Sequence, residues 1–137
     1  MEVKTTYRGW PGHFICAHQC VFRLNTLVEC GKTKVVVSTV GQMLDPLNED
    51  KNKIVYAEIM PNRYFETMAF HAKKTGEFWD ADVLRQINFD SPWHWDKVTD
   101  EMKANNGHIV VVDEIIRKIK DGTIKYGGKV LGAYVLL

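Results

Sequence analysis

His13, Cys16, His18 and Cys20 form the densest group of soft metal ligands in the chain. In an extended segment Cys16, His18 and Cys20 turn to one side, and a strand offers nitrogen and sulfur to zinc in this way. No second Cys or His pair follows at a matching distance, so the tetrahedral set is incomplete, and a free Cys packs as a small apolar residue. Cys16 or Cys20 beside a histidine would make a nucleophile and its base, but no flanking sequence marks a reactive thiol. Gly31-Lys32-Thr33 has the ending of a phosphate-binding loop. Thr26 stands where the first glycine of that loop belongs, and the segment leads into a strand, which removes the helix N-terminus that would hold the anion. None of the five histidines, His13, His18, His71, His94 and His108, starts the His-x-Ser/Thr pair of small phosphodiesterases. No complete catalytic motif is present, and the expectation is a binding protein with no catalytic residues, no metal and no cofactor.

Binding chemistry is better represented. The chain has four Trp, five Tyr and six Phe, and Arg8, Trp10, Arg23, Arg63, Tyr64, Phe78, Trp79 and Asn88 fall near expected strand ends or turns. Rings sandwich a base while guanidinium groups grip phosphate oxygens in pairs. The plainer reading is that the rings fill the core and the arginine stems cover apolar surface.

These residues need elements to hold them. Residues 21–28 alternate, with Phe22, Leu24, Thr26 and Val28 on one face and Arg23 and Asn25 on the other, so Arg23 is expected to point away from the core. After a turn at Cys30-Gly31, residues 34–40 carry Val35, Val36 and Val37, apolar on both faces as in a central strand, and close a hairpin. Residues 45–52 read as an exposed loop. Residues 54–60 and 63–71 form two further strands around Pro61-Asn62, a second hairpin. A turn at Thr75-Gly76 leads to Phe78, Trp79 and Asp80, then to Val83, Arg85, Ile87 and Phe89 on one face, with Asn88 opposite. Ser91-Pro92 caps an expected first helix carrying Trp95, Val98 and Met102, which Asn105-Asn106-Gly107 stops. Ile109, Val112, Ile116 and Ile119 mark a second helix ended by Asp121-Gly122. Residues 124–137 read as a final strand.

Strands followed by helices make the fold α+β: a mostly antiparallel sheet from the first two thirds and two C-terminal helices, in a single domain spanning residues 1–137. A net charge of +1 from 18 basic and 17 acidic residues gives no field to attract duplex nucleic acid. Three cysteines and no signal-like start favour reduced thiols in a cytoplasm. The apolar run 124–137 is broken by Lys125 and Lys129 and is shorter than the roughly 20 residues of a membrane span.

The stretch Arg8-Gly9-Trp10-Pro11-Gly12-His13-Phe14-Ile15-Cys16, with Phe22-Arg23-Leu24-Asn25-Thr26-Leu27 and Val36-Val37-Ser38-Thr39-Val40-Gly41, resembles small bacteriophage proteins of the first Thoeris anti-defence family. Asn62-Arg63-Tyr64-Phe65-Glu66-Thr67-Met68-Ala69-Phe70-His71, Trp79-Asp80-Ala81-Asp82-Val83 and Asp90-Ser91-Pro92-Trp93 extend the likeness over most of residues 8–93. The resemblance implies a sponge that sequesters a cyclic ADP-ribose isomer, an immune signal, in the cytoplasm of the infected bacterium without cutting it. It implies Phe78 against the base, Asn88 on a polar edge, Arg23 and Arg63 at the phosphates, and Arg117 reaching in from a partner chain. It also implies a homodimer or higher homo-oligomer with pockets at subunit contacts. Two other readings stand beside it: an inhibitor that binds a host defence protein through its aromatic and arginine-rich surface, and a zinc-stabilised module or enzyme centred on residues 13–20.

Overall fold

A computed structural model describes residues 2–14 and 17–125. The chain is α+β. Antiparallel strands β1 (Lys4–Tyr7), β2 (Cys20–Cys30), β3 (Thr33–Leu44), β5 (Phe65–Thr75) and β6 (Phe78–Ile87) lie side by side in the order β1-β2-β3-β5-β6. Among the described residues two short strands extend the sheet, β4 (Tyr56–Ala57) against β3 and β7 (His94–Trp95) against β5. One helix, α1 (Glu101–Lys120), packs across one face.

The turns lie where their glycines require. Gly31 and Gly76 sit at φ +59° and +61°, the left-handed region that glycine enters without a Cβ penalty, and join β2 to β3 and β5 to β6. Asn62, at φ 63°, turns the chain after Met60, where the Arg63 N–H donates to the Met60 carbonyl at 2.9 Å. The expected strand over 54–60 shrinks to Tyr56–Ala57, and its partner is β3 rather than the following strand. Val35, Val36 and Val37 are fully buried, because layers cover both faces of the sheet.

On one face Val28, Val35, Val37 and Ala69 pack against Val111, Ile115 and Ile119 of α1. On the other, Leu27, Val36 and Phe70 pack with Ala72 and Ala81, while Ala17, Cys20, Val40 and Ile59 form a smaller cluster. This second layer overturns the expected outward direction of residues 23 and 25. Asn25 is 1 % exposed and Arg23 is half-buried, because the N-terminal segment after β1 crosses above them.

The two expected helices are one. Residues 94–95 are extended, paired with Phe65 and Glu66, so no helix starts at Ser91-Pro92, and α1 runs unbroken through Asn105-Asn106-Gly107. Gly107 is there for contact, not termination: a Cβ on it would lie 2.3 Å from the Trp95 ring. Gly→Ala in a helix interior ordinarily stabilises by about 1 kcal/mol. Here Gly107→Ala is expected to destabilise by roughly 1–3 kcal/mol through overpacking, and adding Trp95→Leu is expected to abolish that penalty. Urea midpoints of the single and double variants check this. The expected final strand lies outside the described residues, apart from Ile124 and Lys125. No helix among the described residues is long and apolar enough to cross a membrane.

Candidate functional site

A polar concavity on the sheet lies where β5 has no continuous neighbour. β6 leaves it after Ile87, opposite Ala69, and β7 returns at His94, opposite Glu66. The connection between them, residues 88–93, bows outward beside Met68, returns to β5 at Trp93, and borders a groove of about 250 Å³. Its walls include Arg63, Glu66, Met68, Gln86, Asn88 and Trp93. The Arg63 guanidinium lies 4.4 Å above the Trp93 ring and donates through Nη1 to Glu66 Oε1 at 3.1 Å. Burial alone would raise the Glu66 pKa, but hydrogen bonding and charge from His13 and Arg63 outweigh it and hold the carboxyl below its usual range.

The connection is fastened rather than loose. The Thr67 N–H donates to the Trp93 carbonyl at 2.7 Å. From α1, Glu114 accepts from the Asp90 N–H at 2.7 Å, the Ser91 N–H at 3.0 Å and the Ser91 hydroxyl at 2.5 Å. Lys118 pairs with Glu114 at 3.0 Å and donates to the Asn88 carbonyl at 3.3 Å. Burial pushes the Glu114 carboxyl up, yet these donors win and bring its pKa down to about 2. A ligand group entering the groove meets a wall already in place, which lowers the entropic cost of binding.

A second aromatic and cationic cluster sits at the far end of β6. Arg8 reaches over the sheet, donating through Nε to Asn25 Oδ1 at 2.8 Å and through Nη1 to the Trp79 carbonyl at 2.5 Å. Its guanidinium lies 4.4 Å from the Phe78 ring centre, and the exposed Trp10 ring is 5.0 Å from Phe78. Lys34 and Lys74 approach Trp79 at 5.2 and 5.3 Å. A link from β1 to β6, opposite edges of the sheet, means that this face curls over itself.

The five residues implied for the ligand are thus not gathered within one chain. Arg63 and Asn88 share the groove. Arg117 is exposed on the other side of residues 88–93, in a polar cleft with Asp90, Ser91, Glu114, Lys118 and Asp121. Phe78 pairs with Thr75, while Asn88 follows the residue opposite Ala69, so the two lie roughly 20 Å apart along β5 at about 3.3 Å per residue. Arg23, Val40 and Glu66 form one row on the same face, with roughly 10 Å between the outer two at about 4.8 Å per strand. Val40 is covered by Ala17 and approached by Gly12, so the N-terminal segment stands between Arg23 and the groove. Glu66, Trp93 and Glu114 carry much of this geometry and had no assigned part in the sequence reading. Only Glu114 signalled itself, as an acid beside the apolar stripe of α1.

Two histidines take part in buried networks. His13 bridges Ser38 Oγ at 2.9 Å through Nδ1 and Glu66 Oε2 at 3.2 Å through Nε2. The ionised carboxylate only accepts, so Nε2 carries a proton and donates to Glu66. The order of groups is that of a hydrolytic triad, but Ser38 is fully buried, so the network secures the N-terminal segment to the sheet instead of presenting a nucleophile. His108 links Thr26 at 2.9 Å to Thr39 at 2.7 Å, and Thr39 meets Thr67 at 2.6 Å, tying α1 to three strands. Residues 17–19 form a 3-10 turn, not the extended segment that the zinc reading needed, and no cluster of metal-binding side chains occurs among the described residues. Comparison with protein-family models, curated proteins and solved structures gives no match for this chain.

Proposed function

We propose that the protein binds a cyclic ADP-ribose isomer and holds it uncut, acting as a phage-encoded sponge for a bacterial immune signal in the host cytoplasm. The observation that carries this reading is the Arg63–Asn88 groove, where a guanidinium stacked on Trp93 stands beside a side-chain amide on a fastened wall. An anion and the edge of a base call for those two groups. At about 250 Å³ the groove is smaller than the roughly 300–1,000 Å³ of ordinary small-molecule sites, so it takes part of such a ligand. The remainder falls to a second copy, whose Phe78 end supplies the ring, and this supports a homodimer or higher homo-oligomer.

Incubation with cyclic ADP-ribose isomers, removal of free ligand and heat denaturation is expected to release the intact compound. Release of an altered compound would make the protein an enzyme, and release of none would remove the reading.

An inhibitor of a host protein is the second reading, favoured by Val83 and Leu84, 55 % and 71 % exposed on the irregular stretch of β6. A Leu84→Asp variant that still retains nucleotide but no longer protects the phage would support it.

A further inference from the structure

Two side-chain amides in the Arg63 groove have no partner among the described residues. Ile87 is buried against α1 and pairs with Ala69, so alternation along β6 turns Gln86, which pairs with Phe70, to the opposite face. Asn88 follows two residues on, roughly 7 Å away at about 3.3 Å per residue, and both residues line the groove. Neither side chain makes a hydrogen bond among the described residues, and Lys118 meets Asn88 at its backbone carbonyl. Gln42 differs, because its amide donates through Nε2 to Glu101 Oε1 at 2.6 Å. Gln86 is half-buried, so its donors and acceptor are set in the groove wall with nothing in the chain to answer them.

The groove divides by charge. Arg63 gives one donor to Glu66 and keeps the others for an anion. The amides suit an uncharged group in which acceptors and donors alternate. A purine with a 6-amino group has that alternation: N7 accepts, the amino group turns one hydrogen to each side, and N1 accepts. One carboxamide answers half of this edge, its oxygen accepting from N6 while its NH2 donates to the ring nitrogen. A second carboxamide answers the other half. With oxygen at position 6, as in guanine, the N7 side presents two acceptors, where a guanidinium pairs and a carboxamide does not. Met68, half-buried in the same groove, gives the ring an apolar floor.

We propose that Gln86 and Asn88 together grip the adenine of the bound nucleotide, each accepting one N6 hydrogen and donating to the adjacent ring nitrogen. Gln86 thereby makes the site selective for a 6-amino purine. This assignment rests on the nucleotide reading and adds to it a residue that decides which base is held.

The test measures binding of a cyclic ADP-ribose isomer closed ribose to ribose, which leaves the adenine edge free, and of its counterpart with hydrogen in place of the 6-amino group. The parent is expected to hold the adenine compound roughly ten- to hundredfold more tightly. In Gln86→Met, which keeps the length and lacks the amide, that ratio is expected to fall at least about threefold. Its urea midpoint is expected to match the parent's, because the substitution removes no hydrogen bond within the described residues. Equal affinity of the parent for the two compounds overturns the amide assignment and leaves the nucleotide reading standing. An undiminished ratio in Gln86→Met removes Gln86 from the base edge. Binding of neither compound by the parent overturns the assignment together with the reading it rests on.

Discussion

Acidification from pH 7 to pH 4 is expected to remove a large share of the folding stability, and two buried histidines are the main cause. Burial lowers the pKa of His108 from 6.5 to about 4. His71 falls from 6.5 to about 4 as well, first through burial and then through Arg85, with Asp82 opposing. The unfolded chain takes up these protons near pH 6.5 and the folded chain only near pH 4, so between those values the unfolded state binds more protons and stability falls with pH. His108 accounts for roughly 2–3 kcal/mol by pH 4, and His71, less deeply buried and screened by solvent, for about half as much, together a large share of the about 5–15 kcal/mol that holds a small domain together. Glu114 works in a lower window: its folded pKa of about 2 against 4.5 stabilises fully above pH 4.5 and is lost as pH falls towards 2. Urea unfolding at half-unit pH intervals reads the slope. His108→Asn keeps a polar atom near the Nδ1 position, towards Thr39, but does not titrate. It is expected to be less stable than the parent at pH 7 and to lose stability less steeply between pH 6.5 and 4, by up to about 1.4 kcal/mol per pH unit. An unchanged slope in that variant would show that His108 does not resist protonation.

The same histidine illustrates which parts of the fold the sequence exposes. Strand periods and turn residues are local, so the hairpins at Gly31 and Gly76 and the doubly buried Val35–Val37 are legible from neighbours within a few positions. The single helix is not. Asn105-Asn106-Gly107 has the composition of a stop, and only the Trp95 ring against Gly107 shows why a glycine belongs inside the helix. That contact in turn exists because His94 and Trp95 pair with β5, a choice made by a strand nearly 30 residues earlier. Asn25 and Arg23 were misdirected for a similar reason. Alternation identifies a strand's two faces, but whether the second face is wet depends on Arg8 and the segment after it crossing the sheet. At the site, arginines and rings near turns were visible as types. Their grouping was not, since Arg63 meets Asn88 only through the departure of β6 from β5, and Phe78 is carried away by the same strand.

That separation gives the ligand reading its sharpest consequence. If one bound nucleotide touches both Arg63 and Phe78, the two side chains come from different copies, because the length of β5 from Phe65 to Thr75, roughly 30 Å at about 3.3 Å per residue, divides them within one. Arg63→Ala is expected to weaken retention of a cyclic ADP-ribose isomer by about 1.5–3 kcal/mol, the worth of a hydrogen bond to a charged group, or roughly 10- to 150-fold. Arg63→Lys is expected to lie nearer Ala than the parent, since an ammonium reproduces neither the paired donors nor the stack on Trp93. Its retained charge still neutralises Glu66, so a loss shared by both variants is not a folding defect of the buried carboxylate. Phe78→Ala is expected to weaken binding on the order of 1–3 kcal/mol through lost stacking. Co-refolding Arg63→Ala chains with Phe78→Ala chains then decides the geometry. In a two-fold dimer each mixed pair has one intact site and one doubly damaged site, so about a quarter of all sites regain the parent's affinity. Recovery of no tight sites would place both residues in one chain's pocket, against the strand geometry, or remove one of them from the site. Binding unaffected by either substitution would leave the Arg63 groove without its proposed ligand.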